Sequence, residues 1–461
     1  METQRGHEVD VGQLMEEPPL GRFHLVTFGL CFLIFFVDGL DYYAANVGAP
    51  AIVRAFGTEV GAMGPVFRWG FIGIFIGSLS FGIIGDRFGR KSGILLGVFA
   101  YSLPALLMPF ATSLDQVAFF RFLTGLGIGG VVPNVIALLS ETAPKRYRVS
   151  AVMASFIGYS LGGATTGVVA AWLIPVFGWP VLFVTAGVAG MILLVVLVFA
   201  LPESILLLAA KQPDSPRLRT LVARAAPELV IAPETRFVLR RPANETKFSL
   251  ALLFTGFRRY ATPLIWVAFF AEALTYITLT TWFAVVLETA GLSPTQAALS
   301  FTYAAVGAMA AILLLGPMID RFGPRAVVLS STIAVGAIYY LGTPGLPPAL
   351  VTTMGILAYA SASSTHQALN GMVGHFYPTI IRGNGVGYAT GMGRVAAIIG
   401  PGFIGTLFAD KLPLQEILLF IAAPDLVVAA VCIALDRLRR SRLAKETQVP
   451  VSVTQPENLP A

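Results

Sequence analysis

Charge is scarce in this chain. Asp, Glu, Lys and Arg make up 12% of its 461 residues, about half of the ~25% carried by an ordinary soluble domain. That is too little to cover a water-facing surface. A soluble multidomain enzyme, a disordered chain and a nucleic-acid binder are thereby excluded. Cysteine and histidine are scarcer still, at two and four residues. Cys31 and Cys432 each lie in an apolar run, so they frame neither a disulfide scaffold nor a metal site. Histidine clusters, nucleophile motifs and phosphate loops are missing, which leaves enzyme chemistry, a metal or a cofactor nothing to rest on.

What is abundant is apolar. The AVILMFWYC set reaches 56%, with 47 Gly and 30 Pro, both more frequent in transmembrane helices than in soluble ones. A spanning helix needs ~20 mostly apolar residues. Such runs fall at 24–48, 65–84, 93–112, 115–139, 149–174, 180–201, 263–287, 296–318, 326–343, 348–372, 383–408 and 414–435. Alternating barrel patterning is absent, and helices are then the spanning option. The expected fold is an all-α membrane protein with twelve transmembrane helices in two six-helix bundles, 24–201 and 263–436. Tails flank them at 1–23 and 437–461. A linker at 202–262 holds six Pro and ten Lys or Arg, with a short surface helix predicted from Pro216 to Arg224. The first 22 residues are polar and mixed in charge, so no cleavable leader is expected.

The formal charge of +6 has an orientation rather than a nucleic acid behind it. With the N-terminus inside, Arg54, Arg68 and Lys411 fall on or near the outer side, and Arg121 and Arg394 lie within spans. The remaining 26 of the 31 basic residues are cytoplasmic. That bias predicts cytoplasmic N- and C-termini.

The two halves align at one offset of 234 residues. Gly82, Asp86, Arg87, Phe88 and Gly89 match Gly316, Asp320, Arg321, Phe322 and Gly323; Pro144 and Arg148 match Pro378 and Arg382; Asp38 falls on Glu272 and Tyr42 on Tyr276. A single offset linking polar positions in separate loops argues for parallel repeats. Such repeats imply alternating access around a midplane site.

The loop GIIGDRFGRK at 82–91, its second copy GPMIDRFGPR at 316–325 and RFLTGLGIGG at 121–130 resemble motifs of the major facilitator superfamily. DGLD at 38–41, GLGIGGVVPN at 125–134, ETAPKRYR at 141–148 and YPTIIRGNGVGYATGMGRVAAIIGP at 377–401 narrow the resemblance to its aromatic acid:proton symporter family. The resemblance implies a secondary active transporter of the inner membrane that takes up a benzoate-like or hydroxybenzoate-like carboxylate with protons, and acts as a monomer. Another organic acid (nicotinate-like or an aliphatic dicarboxylate), export, or a non-transporting sensor are the alternatives.

An ionisable residue inside a span costs ~3 kcal/mol or more, so each is a functional candidate. At ~1.5 Å per residue, Asp38, Asp41, Arg121, Glu272 and Arg394 all reach the middle third of the membrane. Asp38 and Asp41 share a helix face, and two close carboxylates in low dielectric do not both stay ionised cheaply. They are the candidate proton carriers; a static pair with Arg121 is the structural alternative. Arg121 and Arg394 offer planar two-pronged donors to a carboxylate. Glu272 is either a second protonation site or the partner of Arg394. His366, in STHQALNG at 364–371, and Asn370 one turn on are candidate cavity residues; the resemblance implies an amide at the histidine position. Tyr42, Tyr159, Phe301, Tyr303 and Tyr388 are candidates to stack on an aromatic ring, and Asn134 to bond a substrate oxygen. Asp425, after Pro424, is expected to be structural.

Asp86, Arg87, Arg90, Glu141 and Arg148, with Asp320, Arg321 and Arg382 in the second half, are candidate gating charges that pair in one state and part in the other. Pro324 removes a basic partner from the second copy, and His375 stands where the repeat has Glu141. Glycines 158, 162, 163 and 167 and 387, 391, 393 and 400 are expected to permit close helix approach.

Overall fold

The computed structural model describes residues 8–16, 20–228, 235–239, 249–373, 376–377 and 379–447. His375 and Pro378, and the side chains of Asp320 and Arg382, lie outside the described residues.

Among the described residues there are twelve long helices. The first six are α2 (Arg22–Phe56), α3 (Met63–Phe88), α4 (Arg90–Leu107), α5 (Leu114–Thr142), α6 (Arg148–Phe177) and α7 (Val181–Ala200), preceded by a single turn, α1 (Val11–Leu14). Two short helices follow, α8 (Ile205–Lys211) and α9 (Pro216–Ala225), the latter matching the predicted surface helix. The second six are α10 (Arg258–Thr289), α11 (Pro294–Phe322), α12 (Pro324–Leu341), α13 (Pro348–Val373), α14 (Thr379–Ala409) and α15 (Leu414–Thr447). Local chemistry marks their ends. Ser113 and Ser293 cap α5 and α11 through side-chain oxygens, and Pro294, Pro324 and Pro348 open their helices where a missing N–H costs nothing. Gly89 (φ 115°) and Gly323 (φ 63°), equivalent in the repeat, make the sharp α3–α4 and α11–α12 turns in a backbone region that side-chain-bearing residues avoid.

Eleven of the twelve helices are long and apolar enough to cross a membrane. The exception, α13, was expected as the tenth span. It carries Ser361, Ser363, Ser364, Thr365, His366 and Asn370 in one stretch, most of them buried against neighbouring helices rather than facing lipid. Its polarity belongs to the protein interior, which lowers its apparent fitness as a span without removing it from the bundle.

Within each half the first helix packs on the fifth (α2 on α6, α10 on α14). Between halves the principal helix contacts are α3 with α14, α6 with α11 and α2 with α10. The first two contacts exchange under the repeat and the third lies on its pseudo-twofold axis, as parallel repeats require. We call the membrane side carrying both termini the terminal face and the other the far face. Ion pairs Arg54–Glu288 and Lys411–Glu59 (3.0 Å) join the halves at the far face. Beneath them Phe67 packs on Trp282 and Tyr43 on Phe301. At mid-depth Arg394 bonds the Ser78 hydroxyl. Among the described residues no hydrogen bond or ion pair joins the two bundles beyond that point toward the terminal face.

The N-terminal tail and the linker do not stay apart. β1 (Glu8–Asp10) pairs in parallel with β2 (Arg236–Val238), and Val11 and Met15 pack with Ile205, Leu218, Val222 and Phe237 in one small apolar cluster. This collar is tied to the first bundle: Lys211 Nζ donates to the carbonyls of Asp86 and Arg87, and the Lys91 amide donates to Glu203.

Candidate functional site

The charges expected at the midplane form two centres, one in each half. In the first, α2 and α5 bring Asp41 and Arg121 together. Arg121 Nη1 lies 3.3 Å from Asp41 Oδ2 and 3.2 Å from the Asp41 carbonyl, and the guanidinium sits over the Phe183 ring at 6.0 Å. Both side chains are buried, so the pair is held in a medium where breaking it is costly. Asp38, one turn earlier on the same face, is equally buried, and neither of its oxygens has a hydrogen-bond partner. An ionised carboxylate without a partner is far more expensive there than a protonated one.

In the second centre Glu272 of α10 meets His366 of α13. Their Nδ1–Oε2 separation is 2.5 Å, and the imidazole stacks on Tyr276 with centroids 4.9 Å apart. The partner of Glu272 is thus His366 and not Arg394, contrary to one of the two expectations above. Arg394 reaches across the halves to Ser78 and has no acidic partner among the described residues. Asn370 turns its amide back to the His366 carbonyl of its own helix (3.0 Å).

Aromatic side chains line the space between these centres. Tyr42 packs on Tyr43, Phe71 and Tyr159; Tyr43 contacts Phe301 across the halves; Phe301 and Tyr276 both meet Tyr359. Tyr42, Tyr159 and Phe301 were read from the sequence. Tyr43, Tyr276 and Tyr359 were not assigned to the site, because 13 tyrosines and 33 phenylalanines mask the few that converge. Repeat equivalence of Tyr42 and Tyr276 was the available signal for one of them. Tyr303 is exposed and makes none of these ring contacts, and Tyr388 stacks on Trp266 outside the cluster. Ser78 was missed, since one serine in a span gives no signal.

Asn134 does not face this space. Its amide donates to the Phe81 and Gly130 carbonyls, and the absence of a side chain at Gly85 and Gly93 makes the room it fills between α3, α4 and α5. It fastens helices rather than offering a bond to a ligand. A separate apolar cavity of about 810 Å³ lies between α10, α14 and α15, lined by Trp266, Phe270, Leu274, Phe403 and Phe420, with no charged residue in its wall.

On the terminal face Arg90 holds both Asp86 (2.5 Å) and Glu141 (3.0 Å). These residues belong to α3, α4 and α5 of one half. They remain paired although the bundles are unjoined on this side, so the expected parting of this cluster in such a state does not occur. Arg87 and Arg321 lie over the rings of Phe88 and Phe322 at the two equivalent loops. The Arg148 Nε is buried without a partner.

Twelve helices in two parallel repeats, joined at one face by ion pairs, are the architecture of a transporter, and the relatives of the chain are named as transporters and not as enzymes. The sequence profile described as Major Facilitator Superfamily matches residues 31–293 and 264–456. Over 423 residues the chain is 32% identical to the 4-hydroxybenzoate transporter PcaK of Pseudomonas aeruginosa, covering 92% of this chain and 94% of that one. It is 30% identical over 427 residues to a gallate transporter of Pseudomonas putida, covering 92% and 95%. The xylose transporter XylE from E. coli, solved in a partially occluded inward-open conformation, superposes with a TM-score of 0.67 at 14% identity, over 93% of this chain and 98% of that one. The chain belongs to the Major Facilitator Superfamily, and within it to the aromatic acid:proton symporter family whose motifs it carries.

Proposed function

We propose that this protein is a proton-coupled importer of a small aromatic carboxylate, of the benzoate or hydroxybenzoate kind, working by alternating access in the inner membrane with both termini in the cytoplasm. The observation that carries the proposal is the arrangement of charge around the aromatic cluster. Asp41 neutralises Arg121, while among the described residues Arg394 bonds only the Ser78 hydroxyl. A guanidinium at mid-depth without an acid lacks a counter-charge, which a substrate carboxylate supplies, and the neighbouring rings suit an aromatic body. Relatives named for 4-hydroxybenzoate and gallate support the same class of cargo.

In this mechanism protonation of Asp41 dissolves its pair with Arg121. The freed guanidinium then joins Arg394 in holding the substrate carboxylate, so loading of proton and anion depend on one another. Asp38 holds a further proton beside them. Tyr42 and Tyr159 form the wall against the ring, with Tyr276 and His366 opposite. Release of the substrate to the cytoplasm returns Arg121 to Asp41 and expels the proton. The family resemblance and the excess of basic residues on the terminal side support the orientation.

The test is substrate-driven proton uptake in proteoliposomes, with counterflow of a panel of labelled acids. Aromatic carboxylates should drive alkalinisation outside the vesicles, and aliphatic dicarboxylates should not. Counterflow without proton movement would overturn the coupling, and preference for an aliphatic acid would overturn the cargo.

A further inference from the structure

We propose that Glu272, His366 and Asp425 form a second proton-binding centre inside the C-terminal half, loaded through His366 and independent of Asp38 and Asp41. It deepens the symport reading, on which only the use made of the proton rests; the binding itself requires no substrate.

Three helices contribute. His366 on α13 touches Glu272 on α10 through Nδ1 and Oε2. Asp425 on α15 is brought level with Glu272 by helix register. The Thr275 hydroxyl donates to the Ile421 carbonyl at 2.8 Å, fixing where α10 and α15 meet. These helices run antiparallel. Glu272, three residues before Thr275, and Asp425, four after Ile421, therefore both lie about one turn, ~5.4 Å, toward the terminal face from that bond.

Glu272 Oε1 is buried with no hydrogen-bond partner, and the Asp425 carboxylate has no charged partner; the Thr275 hydroxyl lies beside it but spends its proton on the Ile421 carbonyl. Glu272 and Asp425 are each 1% exposed, whereas the His366 side chain is 28% exposed. Only the histidine meets the open space, so a proton reaches the two acids through it. The other titratable groups facing the centre are Tyr276 on α10, Tyr359 on α13, Cys432 on α15 and, across the halves, Tyr43 on α2; none is a base. Two carboxylates against one imidazole leave an excess negative charge in an apolar medium unless a proton is held, and such a charge costs several kcal/mol.

The repeat sharpens this assignment. Glu272 occupies the position of Asp38, and each half joins an acid of its first helix to a base of its fourth: Asp41 to Arg121, Glu272 to His366. Arginine does not give up its proton in proteins, but histidine does. The second half therefore carries the titratable version of the arrangement. A proton adds at His366 Nε2, the Nδ1 proton crosses to Glu272 Oε2, and the ring is left neutral; one proton enters and one is held.

The experiment uses full-length, purified, substrate-free protein. Proton uptake on an acid jump in unbuffered solution is counted with an indicator dye, and the carboxylic C=O stretch is followed by infrared difference spectroscopy. E272Q and D425N should each lower the proton count and remove their own titrating band. H366Q should keep both bands but shift the Glu272 midpoint, and D38N should leave the C-terminal bands in place. Thermal unfolding checks that each variant is folded; should D425N not fold, E272Q and H366Q decide. Wild-type proton counts in E272Q or D425N, an unmoved midpoint in H366Q, or loss of every band in D38N would overturn the proposal. If no aromatic acid drives proton uptake in vesicles of the wild type, the symport reading falls, while this titration stands or falls on its own.

Discussion

Asp38 and Asp41 differ by three residues in sequence and by one contact in space. Asp41 compensates Arg121, and Asp38 compensates nothing. Replacing each by its amide therefore has separable consequences. Asp41→Asn leaves a buried guanidinium without its counter-charge, a loss of ~3–5 kcal/mol when one partner of a buried pair is removed. Asp38→Asn keeps the shape and neutrality of a protonated acid. We expect D38N to unfold at the wild-type temperature yet lose gradient-driven accumulation, and D41N to lose both. The check is thermal unfolding beside pH-driven uptake of the labelled substrate; a destabilised D38N with intact uptake would reverse the assignment. The rarity of charge in apolar spans made Asp38, Asp41, Arg121, Glu272 and Arg394 legible in the sequence. Their partners were less so. Hydropathy gives depth but not rotation, so it did not reveal that His366, and not Arg394, turns toward Glu272. For the same reason Asn134 read as a ligand group, although it faces two glycines on neighbouring helices.

Close approach of α2 and α6 depends on absent side chains. A Cβ on Gly39 would strike the Tyr159 carbonyl, and one on Gly162 would strike the Phe36 carbonyl, so each helix grips the backbone of the other. Along α14 the expectation of close packing fails at Gly387 and Gly391, where nothing lies within 4 Å of an added Cβ. Both glycines are on the terminal-face side of Arg394, where the bundles are unjoined, which accounts for the open space. Gly162→Val should consequently cost ~1–3 kcal/mol through overpacking, lowering the unfolding temperature and weakening transport. Gly391→Val should leave the unfolding temperature unchanged. Equal losses in the two variants would show that helix propensity, and not interhelical contact, governs these sites. Element by element, the twelve helices were legible because ~20-residue apolar runs leave little choice. The collar was not. Strands β1 and β2 have three residues each and pair across more than 200 positions, too short to show a period and too distant to show a turn.

The whole molecule is two copies of one bundle, and its closure follows the same symmetry. Arg54 and Glu288 are separated by 234 residues, the offset that aligns the halves, so this pair joins equivalent positions across the pseudo-twofold axis. One position carries a base in the first copy and an acid in the second, which turns a symmetric contact into an attractive one. Lys411 and Glu59 add a further pair at the same face. Exposed ion pairs contribute only ~0–1 kcal/mol each. That is small against the stability of the fold but sizeable against the few kcal/mol that separate alternating conformers. Removing the attraction should therefore shift the population toward opening at the far face without unfolding either bundle. Cys31 and Cys432 are buried, which leaves spin labels on introduced surface cysteines at Thr58 and Thr289 free of background. Arg54→Glu, which sets two acids against each other on the axis, should lengthen the distance distribution between these labels by electron–electron resonance. Combining it with Glu288→Arg should restore the wild-type distribution. A distribution unmoved by the charge reversal would show that the apolar contacts beneath, Phe67 on Trp282 and Tyr43 on Phe301, hold the far face closed by themselves.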